Sequence, residues 1–268
     1  MEWFEAIILG LVQGLTEFLP VSSSGHLEIG KVLLGVEATD DLMFTTMVHA
    51  ATVLSTIVVF RKQILDLFKG LFKFKYNDQT DYVFKIALSC VPIMIVGLFF
   101  KEDVEALFGS IKVVGFALLL TSALLFFSDL ASRRDKVTNP ASESRNGISY
   151  WQAFVVGLGQ ALAVIPGLSR SGTTISTGLI CGVRRDVMAQ FSFLMVLVPI
   201  LGESFLDLVG GEFSASSVGA LPLALGFLSA FVSGLFACKV MIALVKKAKL
   251  GWFAIYCLIA AAAIFIFA

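Results

Sequence analysis

Residues 13–26 read Gln13-Gly14-Leu15-Thr16-Glu17-Phe18-Leu19-Pro20-Val21-Ser22-Ser23-Ser24-Gly25-His26. Residues 160–174 read Gln160-Ala161-Leu162-Ala163-Val164-Ile165-Pro166-Gly167-Leu168-Ser169-Arg170-Ser171-Gly172-Thr173-Thr174. Each run interrupts an apolar region. Trp3–Leu19 leads into the first and Leu27–Val36 leaves it; Tyr150–Ile165 leads into the second and Thr173–Val183 leaves it. A membrane-crossing helix needs about 20 mostly apolar residues, and these four pieces are shorter. Proline followed by a Ser/Gly turn ends a helix. Irregular backbone at membrane depth is tolerated only where protein or a water-filled cavity satisfies it. The two regions are therefore predicted to be re-entrant helix hairpins whose polar tips lie inside the protein.

Composition agrees with a membrane setting. The chain has 268 residues, 57% of them hydrophobic and 15% charged, with a mean hydropathy of +0.90. Soluble domains run near 45–50% apolar and about 25% charged, so a soluble fold is excluded. Disorder, a nucleic-acid partner and a disulfide scaffold are excluded as well, and the net charge of zero implies no broad electrostatic partner. Cys90, Cys181, Cys238 and Cys257 are scattered through apolar sequence and read as small buried hydrophobes. The first apolar segment carries Glu5 and runs into a hairpin, so no cleavable signal peptide is expected. Six stretches qualify as spans: Asp41–Phe60, Tyr82–Phe100, Ile111–Leu130, Val187–Val209, Ala220–Val245 and Leu250–Ala268. Alternate loops differ sharply in charge, with fourteen Lys and Arg in one set and only Lys31, Lys101 and Lys112 in the other. The positive-inside rule places the basic set in the cytoplasm. The first hairpin then enters from outside and the second from the cytoplasm.

The chain also matches itself. At an offset of 147, ten of the 35 positions from Gly10 to Phe44 are identical, including Gly10 with Gly157, Gln13 with Gln160, Ser22 with Ser169 and Phe44 with Phe191. Further on the offset is 137, where Gly97-Leu98-Phe99 matches Gly234-Leu235-Phe236. Each half holds one hairpin and three spans, and an odd number of crossings forces the halves into opposite orientation. The expected fold is an all-α polytopic membrane protein, a single domain over residues 1–268. Residues 1–135 and 150–268 form inverted-topology repeats, with about six spans and two hairpins meeting near the midplane.

The tips carry the chemistry. Gln13 and Glu17 are one helical turn apart and share a face. A carboxylate at membrane depth is a functional hypothesis by default, and an amide oxygen beside it suits a hard divalent cation, Mg²⁺ or Ca²⁺. Ser22, Ser23 and Ser24 offer hydroxyls that a neighbouring base or metal can activate, with His26 three residues past Ser23. The helix start at this turn favours an anion. Arg170 grips phosphate bidentately, and Ser169, Ser171, Thr173 and Thr174 can donate to the same anion. Opposed hairpins would bring Arg170 toward Glu17, Ser23 and His26 as a phosphoryl-transfer set. His49, one polar residue on an apolar span with no motif near it, reads as structural. Glu28 reads as interfacial, and Glu203 and Asp207 as solvated or helix-end residues.

At these tips the sequence resembles the bacterial undecaprenyl-diphosphate phosphatase family associated with bacitracin resistance. That family has an (E/Q)xxxE motif, here Gln13 to Glu17, followed by a Ser-rich turn ending in His26. It also has PGxSRSxxT, here Pro166 to Thr174 without a mismatch, and the run Phe191–Leu194 fits too. The first acidic position is Gln13 here, which removes one charge. The resemblance implies hydrolysis of undecaprenyl diphosphate to undecaprenyl phosphate and inorganic phosphate, recycling the carrier lipid for peptidoglycan. It also implies a bacterial plasma-membrane protein that needs a divalent cation, with the site opening to the outer side. Catalysis would fall to Ser23, His26, Glu17 and Arg170. Substrate binding would fall to Ser22, Ser24, Ser169, Ser171 and Thr174, and metal binding to Gln13 and Glu17. Whether Ser23 attacks phosphorus, with His26 as base or phosphate ligand, or a metal-activated water does so, is left open. The partners are a polyprenyl diphosphate and membrane lipid, no nucleic acid, and a homodimer is compatible with the reading. The alternative is a polyprenyl-phosphate flippase using the same pocket. A phosphatidic-acid-phosphatase reading of Ser24-Gly25-His26 fails, because no Arg-Pro pair exists and Ser176 stands where that motif needs His.

Overall fold

The computed structural model describes residues 1–36, 41–107, 110–134, 144–202, 218–247 and 249–267. Among these the chain is all helix, without a strand. In order the helices are α1 (Trp3–Thr16), α2 (Ser23–Leu34), α3 (Asp41–Val59), α4 (Arg61–Leu71), α5 (Asp78–Phe99), α6 (Lys101–Glu105) and α7 (Ile111–Arg134). After a single 3-10 turn at Arg145–Gly147 come α8 (Tyr150–Leu162), α9 (Arg170–Ile180), α10 (Arg185–Met195), α11 (Ala220–Lys247) and α12 (Gly251–Phe267).

Local sequence explains the boundaries. α1 ends at Thr16, shortly before Pro20, and α2 opens on Ser22, whose Oγ accepts the Gly25 N–H at 3.2 Å. The same cap recurs at α9, where Ser169 Oγ accepts the Gly172 N–H at 3.1 Å. α8 starts with a capping box: the Ser149 N–H donates to Gln152 Oε1 at 2.8 Å and the Gln152 N–H to Ser149 Oγ at 3.2 Å, satisfying two donors that a helix start leaves free. α2 stops on Gly35 at φ +68°, a left-handed C-cap that suits glycine.

Among the described residues four helices are long and apolar enough to cross a membrane: Asp78–Phe99, Ile111–Ser132, Arg185–Gly202 and Ala220–Val245. A fifth span is possible by length, because Met43–Val59 continues into α4 across a 74° bend at Phe60. The expected stretch Asp41–Phe60 is thus helical but turns sharply where its apolar run meets Arg61 and Lys62. The expected last span is a shorter apolar helix of 17 residues, α12. The expected span from Val187 is followed to Gly202; Glu203, Asp207 and the rest of it lie outside the described residues, as do Lys136 and Asp135, the expected end of the first repeat. Cys90, Cys238 and Cys257 are buried as expected, whereas Cys181 is only partly so, and all four are free.

Close packing depends on small residues, as in other membrane bundles. α1 lies against α11: a Cβ on Gly10 would collide with the Gly226 carbonyl, and one on Gly14 with Ser233 Oγ. α8 lies against α5 in the same manner, with Gly157 on the Ser89 carbonyl. α7 pairs with α12, where Ser122 Oγ donates to the Ala254 carbonyl at 2.7 Å. The outer surface is oily: Leu98, Phe99, Trp252, Ile266 and Phe267 are each more than 70% exposed, which suits contact with lipid and not with water.

One buried ion pair ties the two parts of the chain together. Lys85 Nζ donates to Asp81 Oδ2 at 2.6 Å and to the Arg145 carbonyl at 2.7 Å. Asp81 also accepts from Tyr76 and Tyr150 hydroxyls at 2.6 and 3.0 Å and from Asn146 Nδ2 at 3.0 Å. Removing one partner of such a pair strands the other charge, at a cost of about 3–5 kcal/mol. Lys85→Met should therefore lower the thermal unfolding midpoint in detergent strongly. Adding Asp81→Asn, which removes the stranded charge, should recover a large part of the loss. Equal losses in the single and double variants would mean that packing around Lys85, and not charge, holds this end.

Candidate active site between two helix breaks

The two polar tips meet. The Gly167 N–H donates to Ser24 Oγ at 3.4 Å, and Ser171 Oγ donates to the Leu19 carbonyl at 3.0 Å. The crossing is close: a Cβ on Gly25 would lie 3.3 Å from Gly167 Cα, so either chain would have to give by a few tenths of an ångström. Gly167 itself sits at φ +90° with its Cβ position against the Val114 backbone. Ser22 holds φ 71°, ψ 98°, a conformation rare for a residue with a side chain. That kink lets Ser22 cap α2 while Ser23 begins the helix.

Glu17 is the hub of the first tip. Its Oε2 accepts from Ser23 Oγ at 2.6 Å and from Gln13 Nε2 at 2.9 Å. His49 Nε2, on α3, stands 3.8 Å from the same oxygen. From the second tip, Arg170 lines the same cleft as Glu17 and acts on its carboxylate through charge. The cleft holds about 400 Å³ of empty space, counting the part open to its surroundings. Its polar side is made by Glu17, Arg170, Ser171, Thr52, Thr56 and Ser192, and its apolar wall by Phe18, Val53, Phe193, Val196, Leu197 and Ile200. An anionic group beside Arg170 and a hydrocarbon tail along the wall would each meet matching chemistry.

The structure brings together Gln13, Glu17 and Ser23 by hydrogen bonds, and Arg170 and Ser171 by the shared cleft. It does not join His26 to Ser23 or Glu17 by any hydrogen bond. His26 Nδ1 donates to the Ser22 carbonyl at 2.7 Å, so Nε2 accepts from the Tyr256 hydroxyl at 2.7 Å, and the two rings stack with centroids 5.6 Å apart. The remaining hydroxyls build the tips. Ser22 Oγ and Ser24 Oγ are 3.2 Å apart, and Ser169 and Ser171 3.4 Å. Thr174 Oγ1 is 2.6 Å from Ser192 Oγ and donates to the Arg170 carbonyl at 2.9 Å, fixing the arginine's helical turn. Glu28 pairs with Lys31 at 3.1 Å, away from this cluster.

His49, Thr52, Thr56 and Ser192 were not singled out for the site by their sequence setting. A signal existed for three of them: His49, Thr52 and Thr56 recur at i, i+3 and i+7 and so form a polar stripe on an otherwise apolar helix. Tyr256 carries no motif at all; only the fold brings it to His26.

Among the described residues no three His, Cys, Asp or Glu side chains gather as a metal cluster. The donor set at Glu17 nonetheless fits a divalent cation. Gln13 is fully buried, and its Oε1 has no hydrogen-bond partner while its Nε2 is committed to Glu17. A buried amide oxygen left bare beside a carboxylate is a ready ligand for a hard cation.

Comparison with known proteins bears on this geometry. A Bacteroides fragilis protein named undecaprenyl-diphosphatase is 56% identical over 263 residues, covering 97% of this chain and 96% of its own. One of that name from Parabacteroides distasonis is 58% identical over 264 residues, covering 97% and 96%. Another, from Halothermothrix orenii, is 37% identical over 273 residues, covering 100% and 99%. The family model described as bacitracin resistance protein BacA matches residues 6–263. A match that takes in both tips, every helix between them and most of α12 leaves one assignment: this chain belongs to the BacA family.

Proposed function

We infer that this chain is an undecaprenyl-diphosphatase, a membrane hydrolase that removes the terminal phosphate of undecaprenyl diphosphate and returns undecaprenyl phosphate to peptidoglycan synthesis. The relatives' shared name supports the substrate. The observation that carries the chemistry is the 2.6 Å hydrogen bond from Ser23 Oγ to Glu17 Oε2, made on a cleft that Arg170 also lines.

The mechanism follows from those groups. Ser23 Oγ attacks the terminal phosphorus and passes its proton to Glu17, which already accepts the hydroxyl hydrogen. The bond from phosphorus to the bridging oxygen breaks and undecaprenyl phosphate leaves. Arg170 neutralises charge on the transferring phosphoryl oxygens. Water then cleaves the phosphoserine, releasing inorganic phosphate and restoring Ser23. Ser23 turns to Glu17 while both ring nitrogens of His26 are engaged by Ser22 and Tyr256, so His26 contacts phosphate only if the Tyr256 hydroxyl turns away and the ring takes up a proton at Nε2. Ser22, Ser24, Ser169, Ser171 and Thr174 shape the phosphate site by holding the tips. A bound Mg²⁺ or Ca²⁺, held by Gln13 and by Glu17 through whichever carboxylate oxygen does not take the Ser23 proton, would supply charge neutralisation at the phosphate. The prenyl tail lies along the apolar wall of the cleft.

The same reading covers the architecture. Residues 1–135 and 150–268 are inverted repeats, α1–α2 and α8–α9 are re-entrant hairpins, and six helices cross the plasma membrane with the site open to the outer side. Supporting this, contacts recur at the offsets found in the sequence. Gly10 on Gly226 matches Gly157 on Ser89, and Ser22 capping Gly25 matches Ser169 capping Gly172.

Phosphate release from a C55 diphosphate by purified protein in detergent tests the reaction, because transport cannot occur there. Release should require Mg²⁺ or Ca²⁺ and stop with EDTA. Arg170→Ala and Glu17→Ala should each lower kcat by about 10³-fold or more. Folded wild type that releases none, across metals and prenyl lengths, would turn the reading toward a flippase. Orientation is tested in a variant whose four cysteines are replaced. A cysteine at Lys112 should react with membrane-impermeant maleimide in spheroplasts, and one at Lys73 only after lysis. The opposite pattern would invert the topology.

A further inference from the structure

His49 is held in a way that the hydrolase mechanism does not use. Its Nδ1 lies 2.9 Å from the Thr45 carbonyl oxygen. A carbonyl can only accept, so Nδ1 carries hydrogen. The neutral ring then presents the lone pair of Nε2 to Glu17 Oε2, 3.8 Å away. Two acceptors so placed can share a cation between them. A proton on Nε2 does not bridge this gap, since N–H···O hydrogen bonds end near 3.2 Å. A metal ion does. Donors bound at about 2.1 Å stand about 3.0 Å apart when adjacent in an octahedron and about 4.2 Å apart when opposite. The observed 3.8 Å equals neither value and lies about 0.4 Å short of the opposite arrangement, so an ion there would draw the two side chains into place. Two further observations agree. Gln13 Oε1 is buried and without a partner, on the side chain whose Nε2 bonds the same Glu17 oxygen. And a ligating imidazole characteristically donates its other N–H to a carbonyl, as His49 does to Thr45 across one turn of α3.

We propose that His49 Nε2 is a third protein ligand to the divalent cation held by Glu17 and Gln13, and that this nitrogen shifts the site's preference from Ca²⁺ toward Mn²⁺. The inference rests on the cation site included in the hydrolase reading and adds its nitrogen donor. Oxygen-only sets suit Mg²⁺ and Ca²⁺, whereas imidazole favours first-row transition metals. One carboxylate, one amide oxygen and one imidazole place this site between those classes. Thr52 and Thr56 continue the stripe of His49 along α3 and line the cleft, their hydroxyls donating to the His49 and Thr52 carbonyls.

The test reads the metal and not turnover. Mn²⁺ is bound to purified protein in detergent, and nitrogen coupling to the ion is measured by electron spin echo envelope modulation. Only His26 and His49 exist in the chain, so ¹⁵N-histidine labelling assigns the signal. Wild type should show imidazole nitrogen coupling that His26→Gln retains, His49→Gln loses, and Glu17→Ala abolishes together with binding. Calorimetry should show His49→Gln weakening Mn²⁺ by about tenfold or more with a smaller change for Ca²⁺. Bound Mn²⁺ without nitrogen coupling in wild type overturns the proposal, as does Mn²⁺ binding that survives Glu17→Ala. A simple His49–Glu17 ion pair would give that first result. Phosphate release in the same samples separates the two readings. Release without nitrogen coupling removes His49 from the metal and leaves the hydrolase standing. Nitrogen coupling without release keeps the metal site and removes the hydrolase.

Discussion

A helix broken inside an apolar protein exposes N–H and C=O groups that no surrounding water can satisfy. In this chain each break is satisfied largely by the other. Ser24 takes the Gly167 N–H, and Leu19 gives its carbonyl to Ser171. Thr121 on α7 completes the second tip, accepting the Ser169 N–H at 3.1 Å. The rest of the structure depends on this mutual capping. The kinked backbone of the first tip, with Ser22 at φ 71°, is held by bonds within the tip and by the two that cross to its opposite. The clasp also explains why so many hydroxyls surround the site without reaching into it. Their hydrogen bonds are spent on backbone, and their contribution is rigidity around Glu17, Ser23 and Arg170.

The clasp in turn demands close helix packing behind it. α1 can bring Gln13 and Glu17 to the tip only by lying flush on α11, which the glycines at 10 and 14 permit. α8 delivers the second tip by lying flush on α5 through Gly157. At the far end of α5 the buried Lys85–Asp81 pair binds the turn at Arg145–Gly147 and the start of α8. From there α8, a helix of 13 residues, leads to the second tip and Arg170.

Much of this was legible from residue order because it rests on local chemistry. Pro20 and Pro166, each followed by Ser/Gly runs, mark breaks whatever the tertiary context. The i, i+4 spacing of Gln13 and Glu17 places them on one face without a structure, and the hydrogen bond between them follows. For His49 the sequence offers only the polar stripe it forms with Thr52 and Thr56. Its partner lies 32 residues away on another helix, so the packing of α3 against the first tip is what joins it to Glu17. The pairing of His26 with Tyr256 is more remote still, spanning 230 residues. The 74° bend between α3 and α4 was hidden because hydropathy marks where a helix leaves the apolar region but not the direction it takes.

The two tips are alike in scaffold and different in charge, and the difference locates the chemistry. At the offset of 147, the capping serines and the glycines after them coincide, whereas Glu17 faces Val164, Ser23 faces Arg170 and His26 faces Thr173. One tip therefore carries the hydroxyl and its carboxylate acceptor, and the other carries the cation. Gln13 and Gln160 show what the exchange does physically. Both are fully buried. The Gln13 amide is oriented by Glu17, whereas position 164 holds valine and offers Gln160 no carboxylate. Beside Glu17 the glutamine fixes a carboxylate next to Ser23. The polar set that the scaffold can support in two places is complete in only one, and the cleft opens beside that one.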